Sequence, residues 1–329
     1  MNSVIRTENL VMRFRNCDAL AGVDLEIPAG CVFALLGENG AGKTTLIRIL
    51  TGFQKPTSGK AAVCGIDPTK DPLRVRGRIG YVSDRPSMYD WMTVSQIGWF
   101  TASFYPDGFL DTYTQLIERY EISMKQKMKH LSKGQRAKVA LSLSLAHDPE
   151  LLILDEPTSG LDPMVRREFL ESMVERAASG RTVFLSSHQI SEVERVADTI
   201  AILHRGKLRC CQPINDLKAS MSQITIGLDD PLCQLPALPE PAETLIESTQ
   251  GRHRQIVARN FHPSMIAELE NTHGVLSVTH RPMSLEEIFI AFTHGEGLRG
   301  EVSDIQNNRR CDDTDREVEN PLIESGEAS

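Results

Sequence analysis

The sequence has no long apolar run and no excess of basic residues. A membrane-spanning helix needs roughly 18 consecutive apolar residues, and no run here approaches that length. The first residues, MNSVIRTENLVMRF, also lack the apolar core of a secretory signal peptide. Acidic residues outnumber basic ones by 44 to 36, and this balance argues against nucleic-acid binding because phosphate backbones select basic surfaces. We therefore expect no nucleic-acid partner, and work at a membrane would require another chain to span it.

The seven cysteines include no CxxC spacing, and their number is odd. Structural zinc sites usually need such close pairs, and disulfide frameworks need an even set, so both are disfavoured. A reducing cytosol is the expected compartment. With 329 residues, the chain is long enough for one large domain and a smaller one.

A glycine-rich segment within residues 31–50, CVFALLGENGAGKTTLIRIL, predicts a strand, a G-x-x-x-x-G-K-T loop and a helix. Glycines lack Cβ atoms, so consecutive backbone N–H groups can surround a phosphate, while Lys43 adds positive charge and the Thr44 hydroxyl can bind Mg²⁺. The segment predicts binding of a nucleoside triphosphate; a plain strand-to-helix turn is the alternative. Kinases, GTPases and transport ATPases share this loop. Its predicted binding residues are Gly37, Glu38, Asn39, Gly40, Ala41, Gly42, Lys43, Thr44 and Thr45.

Two further predicted strands end in residues typical of a catalytic site. The apolar residues 151–154 precede Asp155 and Glu156, and residues 181–187 precede His188. Parallel α/β folds place their ligands at such strand ends. Asp155 suits a metal ion, Glu156 suits a water molecule as general base, and His188 could hold the γ-phosphate and that water. A solvated acidic turn and a structural histidine are the alternatives.

The few aromatic residues allow two interpretations each. Phe14 could belong to the core or offer a flat ring to an adenine. Tyr89, Trp91 and Trp99 follow a predicted strand and bend, and they could form a docking surface for a partner or the core of a helical insert.

The order of GENGAGKTT, LSKGQ, LLILDEP, SGLD and a strand-terminal histidine resembles the nucleotide-binding subunits of ATP-binding cassette (ABC) transporters over residues 3–217. The helical insert looks most like the exporter branch, in which the membrane half is a separate polypeptide. The resemblance implies an α/β P-loop NTPase fold with an antiparallel β subdomain and a helical subdomain at about residues 84–149. An NKxD motif, which a GTPase would need, is absent from the sequence.

The resemblance also implies roles for particular residues, with ATP and Mg²⁺ as cofactors. Phe14 becomes the adenine-stacking position, Glu156 the base and His188 the switch histidine. Residues 37–45 become the Walker A loop, and Asp162 a contact between subunits. The implied magnesium ligands are Thr44, Asp84 and Asp155, and the residues implied to contact the ATP of a second copy are Ser132, Lys133, Gly134 and Gln135.

Two positions depart from the family pattern. Asp84 stands where a glutamine is usual; its carboxylate can still bind Mg²⁺ but is shorter and adds negative charge. Lys133 stands where glycine is more usual, and its ammonium could reach the opposing γ-phosphate or face water.

The sequence divides into three predicted parts. Residues 3–217 form the ATPase domain, and residues 218–297 form a small C-terminal α+β accessory domain that could assist dimerisation or merely stabilise the protein. Residues 298–329 are polar and acid-rich and are predicted to form a disordered tail.

The function expected from the sequence is ATP binding and hydrolysis by a head-to-tail dimer. It would power export through a separately encoded permease at the cytoplasmic face of the membrane. A soluble ABC ATPase acting as a mechanical switch is the alternative from another class. A regulatory protein that binds ATP without turnover is a third, which Asp155, Glu156 and His188 disfavour. Specificity for the cargo would lie in the membrane chain.

Overall fold

The computed structural model describes residues 3–15, 17–230 and 237–294. The predicted disordered tail lies outside the described residues, as does part of the proline-rich segment before residue 241. The first half of the chain forms β1 (Ser3–Phe14), β2 (Cys17–Pro28), β3 (Val32–Leu36), α1 (Lys43–Leu50), β4 (Ser58–Val63), α2 (Pro72–Arg78), β5 (Ile79–Val82), α3 (Val94–Ala102), α4 (Phe109–Arg119), α5 (Lys133–Leu145) and β6 (Leu151–Asp155). The second half forms α6 (Pro163–Ala178), β7 (Thr182–Ser187), α7 (Ile190–Val196), β8 (Thr199–His204), β9 (Lys207–Pro213), α8 (Ile214–Ser220), β10 (Met221–Leu228), β11 (Glu243–Gln250), β12 (His253–Arg259), α9 (Ile266–Glu270), β13 (Val275–Pro282) and α10 (Leu285–His294).

A six-stranded sheet with the order β5-β6-β7-β3-β8-β9 forms the centre of the molecule. Its strands are parallel except β9, which pairs antiparallel with β8. The strands β3, β6 and β7 are buried at every position, which explains their near-continuous apolar sequences. Because parallel strands end at the same edge, this sheet brings the phosphate loop, the acidic pair and His188 to one side of the molecule.

Two cores cover the two faces of the central sheet. On one face, Phe33 and Leu35 of β3 pack with α1 and with the antiparallel sheet β2-β1-β4. On the other face, Val32 and Ala34 pack with helices α5, α6, α7 and α8. The helix that follows the phosphate loop is therefore held between two sheets.

Helices α3, α4 and α5 pack around a core of their own. The Tyr113 hydroxyl donates a hydrogen bond to the Val94 carbonyl at 2.8 Å, which fixes its ring against α3. A Cβ atom at Gly98 would lie only 2.2 Å from Cε1 of this ring, so the close approach of α3 and α4 requires glycine there. We call these three helices the helical lobe.

The C-terminal part forms an antiparallel sheet with the order β11-β12-β10-β13 and a separate small core. Its last helix, α10, lies elsewhere: Leu285 and Ile288 belong to the core of the central sheet, and α10 contacts α7 and β8. A capping box opens this helix: Glu287 Oε2 accepts a hydrogen bond from the Ser284 backbone N–H at 2.9 Å, and the Ser284 hydroxyl accepts one from the Glu287 backbone N–H at 3.3 Å. The division of the chain at residues 217 and 297 stays a proposal.

The predicted α/β architecture is confirmed, but the sequence analysis did not predict α2, α8, β10 or β11. Helix α5 begins at Lys133, directly after its cap Ser132. Within the part of the chain that the structure describes, no helix is long and apolar enough to cross a bilayer.

Cys31, Cys64, Cys210 and Cys211 are free in the part of the chain that the structure describes.

Candidate active site

The loop between β3 and α1 has glycine where a side chain would clash. A Cβ atom at Gly37 would lie 2.6 Å from the Leu203 carbonyl oxygen, and one at Gly42 would lie 2.4 Å from the Ala19 carbonyl oxygen. Gly42 also has a positive φ of 108°. By contrast, a Cβ atom at Gly40 would meet no described atom within 4 Å. The loop is thus supported from behind by β2 and β8 and open on its other side.

The first turn of α1 is suited to an anion. Its N-cap is Gly42, and no side chain among the described residues caps the helix there. Uncapped N–H groups and the positive end of the helix dipole favour a phosphate.

The Lys43 ammonium is enclosed by the loop and by Glu156. Only 6% of its side chain is exposed, and Nζ donates hydrogen bonds to the carbonyls of Gly37 at 2.7 Å and Glu38 at 3.2 Å. Nζ also lies 3.2 Å from Oε1 of Glu156. That contact is ionic and not an aligned hydrogen bond, since Oε1 accepts no hydrogen bond from the described residues. A buried carboxylate oxygen is therefore left with unused acceptor capacity.

Asp155 lies at the end of β6 beside the phosphate loop. Its Oδ1 accepts a hydrogen bond from the Ser186 hydroxyl at 2.6 Å, and the Thr44 hydroxyl also bonds to its carboxylate. Burial raises the pKa of Asp155 above its ordinary value, and the hydrogen bonds from Ser186 and Thr44 oppose that shift only in part. The result is a buried carboxylate adjacent to a hydroxyl at the foot of the loop.

Glu156 and His188 are in direct contact. The Oε2 atom of Glu156 lies 2.7 Å from Nδ1 of His188 and accepts a longer hydrogen bond of 3.3 Å from the His188 backbone N–H. Glu156 has a φ of 50°, a backbone conformation that residues other than glycine adopt rarely and at a cost in free energy. The backbone N–H of Glu156 donates a hydrogen bond that is shared between the Ser186 hydroxyl and the Ser186 carbonyl, each at 3.2 Å. The carboxylate is thus held at one oxygen by histidine and faces Lys43 with the other.

The donor set fits a hard dication bound together with a triphosphate. The Thr44 hydroxyl and the Asp155 carboxylate supply two adjacent oxygen atoms, and Mg²⁺ takes few protein ligands when phosphates and water supply the rest. Consistent with this, the described residues contain no group of three or more His, Cys, Asp or Glu side chains that could hold a metal by themselves.

The other two residues predicted to face nucleotide or magnesium lie at the periphery. Phe14 is 44% exposed at the end of β1, so it is not a core residue. Two positions before Phe14, Met12 of β1 pairs with Leu20 of β2. The Leu20 side chain lies next to the phosphate loop, since a Cβ atom at Gly42 would be 3.0 Å from it. Asp84 is exposed in the bend after β5, and within the described chain its ion pair is with Arg85 at 3.8 Å. The magnesium role of Asp84 stays a prediction, since the structure does not bring it into contact with Asp155.

The residues predicted to act in trans form the first turn of α5. Ser132 caps the helix: its hydroxyl accepts a hydrogen bond from the Gln135 backbone at 3.2 Å, and Gln135 Oε1 accepts one from the Ser132 backbone at 3.0 Å. A Cβ atom at Gly134 would lie 3.2 Å from the Val165 methyl groups, and the Lys133 ammonium lies against Gly160. This turn contacts α6 and the loop before it and makes no hydrogen bond to the phosphate loop within the described chain.

Asp162 caps α6, accepting hydrogen bonds from the backbone of Met164 at 3.1 Å and Val165 at 3.0 Å.

Sequence reasoning missed Ser186, which contacts both acids, and the buried Glu192, whose carboxylate accepts a hydrogen bond from Thr158. The sequence signal that could have identified Ser186 is its position in the Ser186–Ser187 pair directly before His188.

A parallel sheet, a glycine-rich loop entering a helix and an acidic strand end define a P-loop nucleotide-binding protein. The family profile described as ABC transporter matches residues 20–159. The chain is 32% identical over 312 residues to the daunorubicin/doxorubicin resistance ATP-binding protein of Streptomyces peucetius, which covers 88% of this chain and 92% of that protein. It is also 32% identical over 223 residues to the bacitracin transport ATP-binding protein of Bacillus licheniformis, covering 66% of this chain and 72% of that one.

Solved structures agree with these relatives. One described as the ATP-binding subunit of an ABC transporter superposes with a TM-score of 0.62 at 28% identity, covering 66% of this chain and 92% of that chain. The chain therefore belongs to the ATP-binding subunits of ABC transporters, a family that includes exporter-type members.

Proposed function

We propose that this chain hydrolyses ATP, with Glu156 as the general base, and that hydrolysis powers export through a separate membrane permease. The observation that carries the proposal is the placement of Glu156. Its Oε2 is bonded to His188 at 2.7 Å, and its buried Oε1 lies 3.2 Å from Lys43 and has unused acceptor capacity. A carboxylate oxygen of this kind, next to a phosphate loop, is suited to take a proton from an attacking water.

The neighbouring residues would bind the triphosphate. Lys43 now donates to two loop carbonyls, and incoming phosphate oxygens would replace these acceptors. Thr44 and Asp155 would hold Mg²⁺, which when bound neutralises charge on the phosphate oxygens. Phe14, half exposed beyond the loop, would stack on the adenine ring. The hydrogen bond that His188 Nδ1 donates to Oε2 fixes the orientation of the Glu156 carboxylate.

A second copy would complete each site. Ser132 and Lys133 are exposed at the N-terminus of α5, where the positive end of the helix dipole favours a γ-phosphate. A solved cassette that shares this fold at 22% identity is described as dimeric, which supports a two-fold arrangement. Residues 132–135 would then contact ATP bound by the partner.

The permease would bind an aromatic surface on the helical lobe. Ring centroids of Tyr89 lie 5.9 Å from Trp91 and 6.2 Å from Phe100, and those of Phe100 and Phe104 lie 5.5 Å apart. All four side chains are exposed, and so is Trp99, so the alternative of a lobe core is wrong for Tyr89, Trp91 and Trp99. We call these four residues the aromatic row. Contiguous exposed apolar surface marks interaction sites, and the names of relatives in drug resistance and bacitracin transport support an exporter docked at the cytoplasmic membrane face.

The decisive test is the Glu156→Gln variant of the purified protein. Glutamine keeps the size and the contact to His188 but cannot accept the proton, so ATP hydrolysis should fall by about 10²- to 10⁴-fold. ATP binding, measured by equilibrium titration, should persist. Glu171→Gln serves as the control, because Glu171 is an exposed carboxylate that pairs with Arg167 on α6. Full turnover by Glu156→Gln would remove Glu156 as the base.

A further inference from the structure

A buried carboxylate outside the predicted site connects two segments of it. Glu192 lies in the first turn of α7, four residues after His188, and is 5% exposed. Its Oε2 accepts a hydrogen bond of 2.5 Å from the hydroxyl of Thr158, which is itself 2% exposed and lies two residues after Glu156. The same two chain segments are therefore joined twice, once by Glu156 and His188 and once by Thr158 and Glu192.

The other oxygen of Glu192 faces Arg166. Its Oε1 lies 3.0 Å from Nε of Arg166, an ionic contact without hydrogen-bond alignment. The same guanidinium donates from Nη2 to the Leu161 carbonyl at 3.1 Å. Glu192 thus fixes both ends of the turn between Thr158 and Leu161, directly at one end and through Arg166 at the other. We call Thr158, Arg166 and Glu192 the Glu192 bridge.

This arrangement is costly for stability alone. The buried Glu192 carboxylate loses hydration that its pairing with the partly exposed Arg166 offsets only in part, and well-packed apolar residues often replace buried charged groups without loss. The Glu192 bridge instead fixes the relative positions of two chain segments. It ties the chain just after Glu156, whose φ of 50° needs support from its surroundings, to the helix that follows His188.

We propose that Glu192 is a positioning residue for ATP hydrolysis: through Thr158 and Arg166 it holds Glu156 against His188 and sets the turn that leads to Asp162. The proposal rests on the proposed function, because it assumes that Glu156 is the base. Glu192 acts through these neighbours and does not itself touch the nucleotide site.

The test compares Glu192→Ala, Glu192→Gln and Thr158→Val in the full-length protein. Glu192→Ala should lower kcat by about 10- to 100-fold, the usual effect of a small misplacement of a catalytic group. The Kd for ATP should stay within about twofold, since Lys43 and the loop are untouched. Glu192→Gln keeps an acceptor for Thr158 and should recover part of the rate, whereas Thr158→Val removes only the hydroxyl and should lose rate. Glu194→Ala is the matched control, because Glu194 lies on α7 in an exposed ion pair with Lys218.

A double variant separates positioning from a general loss of structure. Because Glu192 acts through Glu156, adding Glu192→Ala to Glu156→Gln should leave the residual hydrolysis rate unchanged. A merely structural defect would lower that residual rate further. An unaltered kcat in Glu192→Ala and Thr158→Val, a parallel rise of the Kd for ATP, or multiplying losses in the double variant would each overturn the proposal. If Glu156→Gln itself retains full turnover, the proposed function fails, whatever the Glu192 variants do.

Discussion

At the scale of single residues, the site combines features that a fold optimised for stability would avoid. Asp155 is a carboxylate with 3% exposure, and Glu156 adopts a positive φ beside it. Buried charge and backbone strain cost free energy, and both concentrate where chemistry requires fixed groups. The hydrogen bonds from Ser186 and Thr44 compensate Asp155 only in part, because the pKa of Asp155 remains raised.

Replacing Asp155 should reveal this cost. A raised pKa means that the fold prefers the protonated carboxyl, so its favourable contribution is complete below the ordinary value of 3.8 and is lost as the pH rises through the raised pKa. Asp155→Asn should therefore have a higher unfolding midpoint than the wild type at neutral pH, and the difference should shrink as the pH approaches 3.8. ATP turnover should be lost, because the amide is a poor ligand for Mg²⁺.

Thermal unfolding of the two proteins without nucleotide, at acid and neutral pH, checks this expectation. Asp107→Asn, in the exposed turn between α3 and α4, is the control and should not change the midpoint. A wild type that is more stable than Asp155→Asn at neutral pH would mean that the hydrogen bonds to Asp155 outweigh its burial.

The residues of the proposed catalytic site could be located from sequence because each follows directly on a recognisable strand. Asp155, Glu156 and His188 come at strand ends that parallel pairing places at one edge. Glu192 could not be found in this way, because a glutamate in an amphipathic helix is usually solvated. Its burial depends on Thr158 and Arg166, which reach it only after α6 and α7 have packed together.

At the scale of secondary-structure elements, prediction failed where tertiary contacts or short local signals decide. The helix α2 buries only Val75, so it has no apolar periodicity, and Asp71 with Pro72 at the helix start was its only signal. The strand β10 alternates Ile224, Ile226 and Leu228 toward the small C-terminal core, a pattern that was present in the sequence. Ser132 and Gln135, predicted to contact nucleotide in trans, also form the capping box that marks the start of α5 at Lys133.

The helical lobe should be sensitive to a single added methyl group. In Gly98→Ala, the new Cβ would lie 2.2 Å from a ring carbon of Tyr113, whose hydroxyl is bonded to Val94 and whose ring is fully buried. Such overpacking costs about 1–3 kcal/mol, which lowers the unfolding midpoint by several degrees.

Gly77→Ala is the control for this change, because a Cβ atom at Gly77 on α2 meets nothing within 4 Å among the described residues. That variant should be neutral or more stable, by up to about 1 kcal/mol. Differential scanning calorimetry distinguishes the two; equal midpoints would show that α3 and α4 can separate without cost.

At the scale of the whole molecule, the proposal that the permease binds the aromatic row can be tested by mutation and co-purification. Alanine at both Tyr89 and Trp91 removes two exposed rings, of which Tyr89 contacts the edge of Phe100 and Trp91 contacts Tyr89, so the fold should survive. If both rings are hot spots of the interface, their truncation costs about 2 kcal/mol or more each. Co-purification with the membrane partner should fall sharply, while ATP binding is kept. Leu276→Ala, an equally exposed apolar change on β13, should not affect assembly.

The composite site predicts complementation between two inactive proteins. Ser132→Arg places a large cation in the turn proposed to contact the partner's ATP, and Lys43→Ala removes the ammonium that the phosphate loop encloses. In a homodimer of either variant, both ATP sites contain the substituted residue and are inactive. In a mixed dimer, however, the intact Lys43 of one copy meets the intact Ser132 of the other, so one site is whole. Random pairing of equal amounts makes half of the dimers mixed, each with one of two sites restored, so turnover should recover to about a quarter of the wild-type rate.

Mixing the purified variants at fixed total concentration and measuring phosphate release gives the answer directly. Recovery should vanish when Lys43→Ala and Ser132→Arg are placed on the same chain and mixed with a Glu156→Gln partner, because either composite site then contains a spoiled residue. The same mixture would recover activity only if another arrangement of subunits built the site. Ser132→Arg retaining full turnover by itself would contradict a shared site altogether, since the hydroxyl now caps α5 within its own chain and would then have no further role.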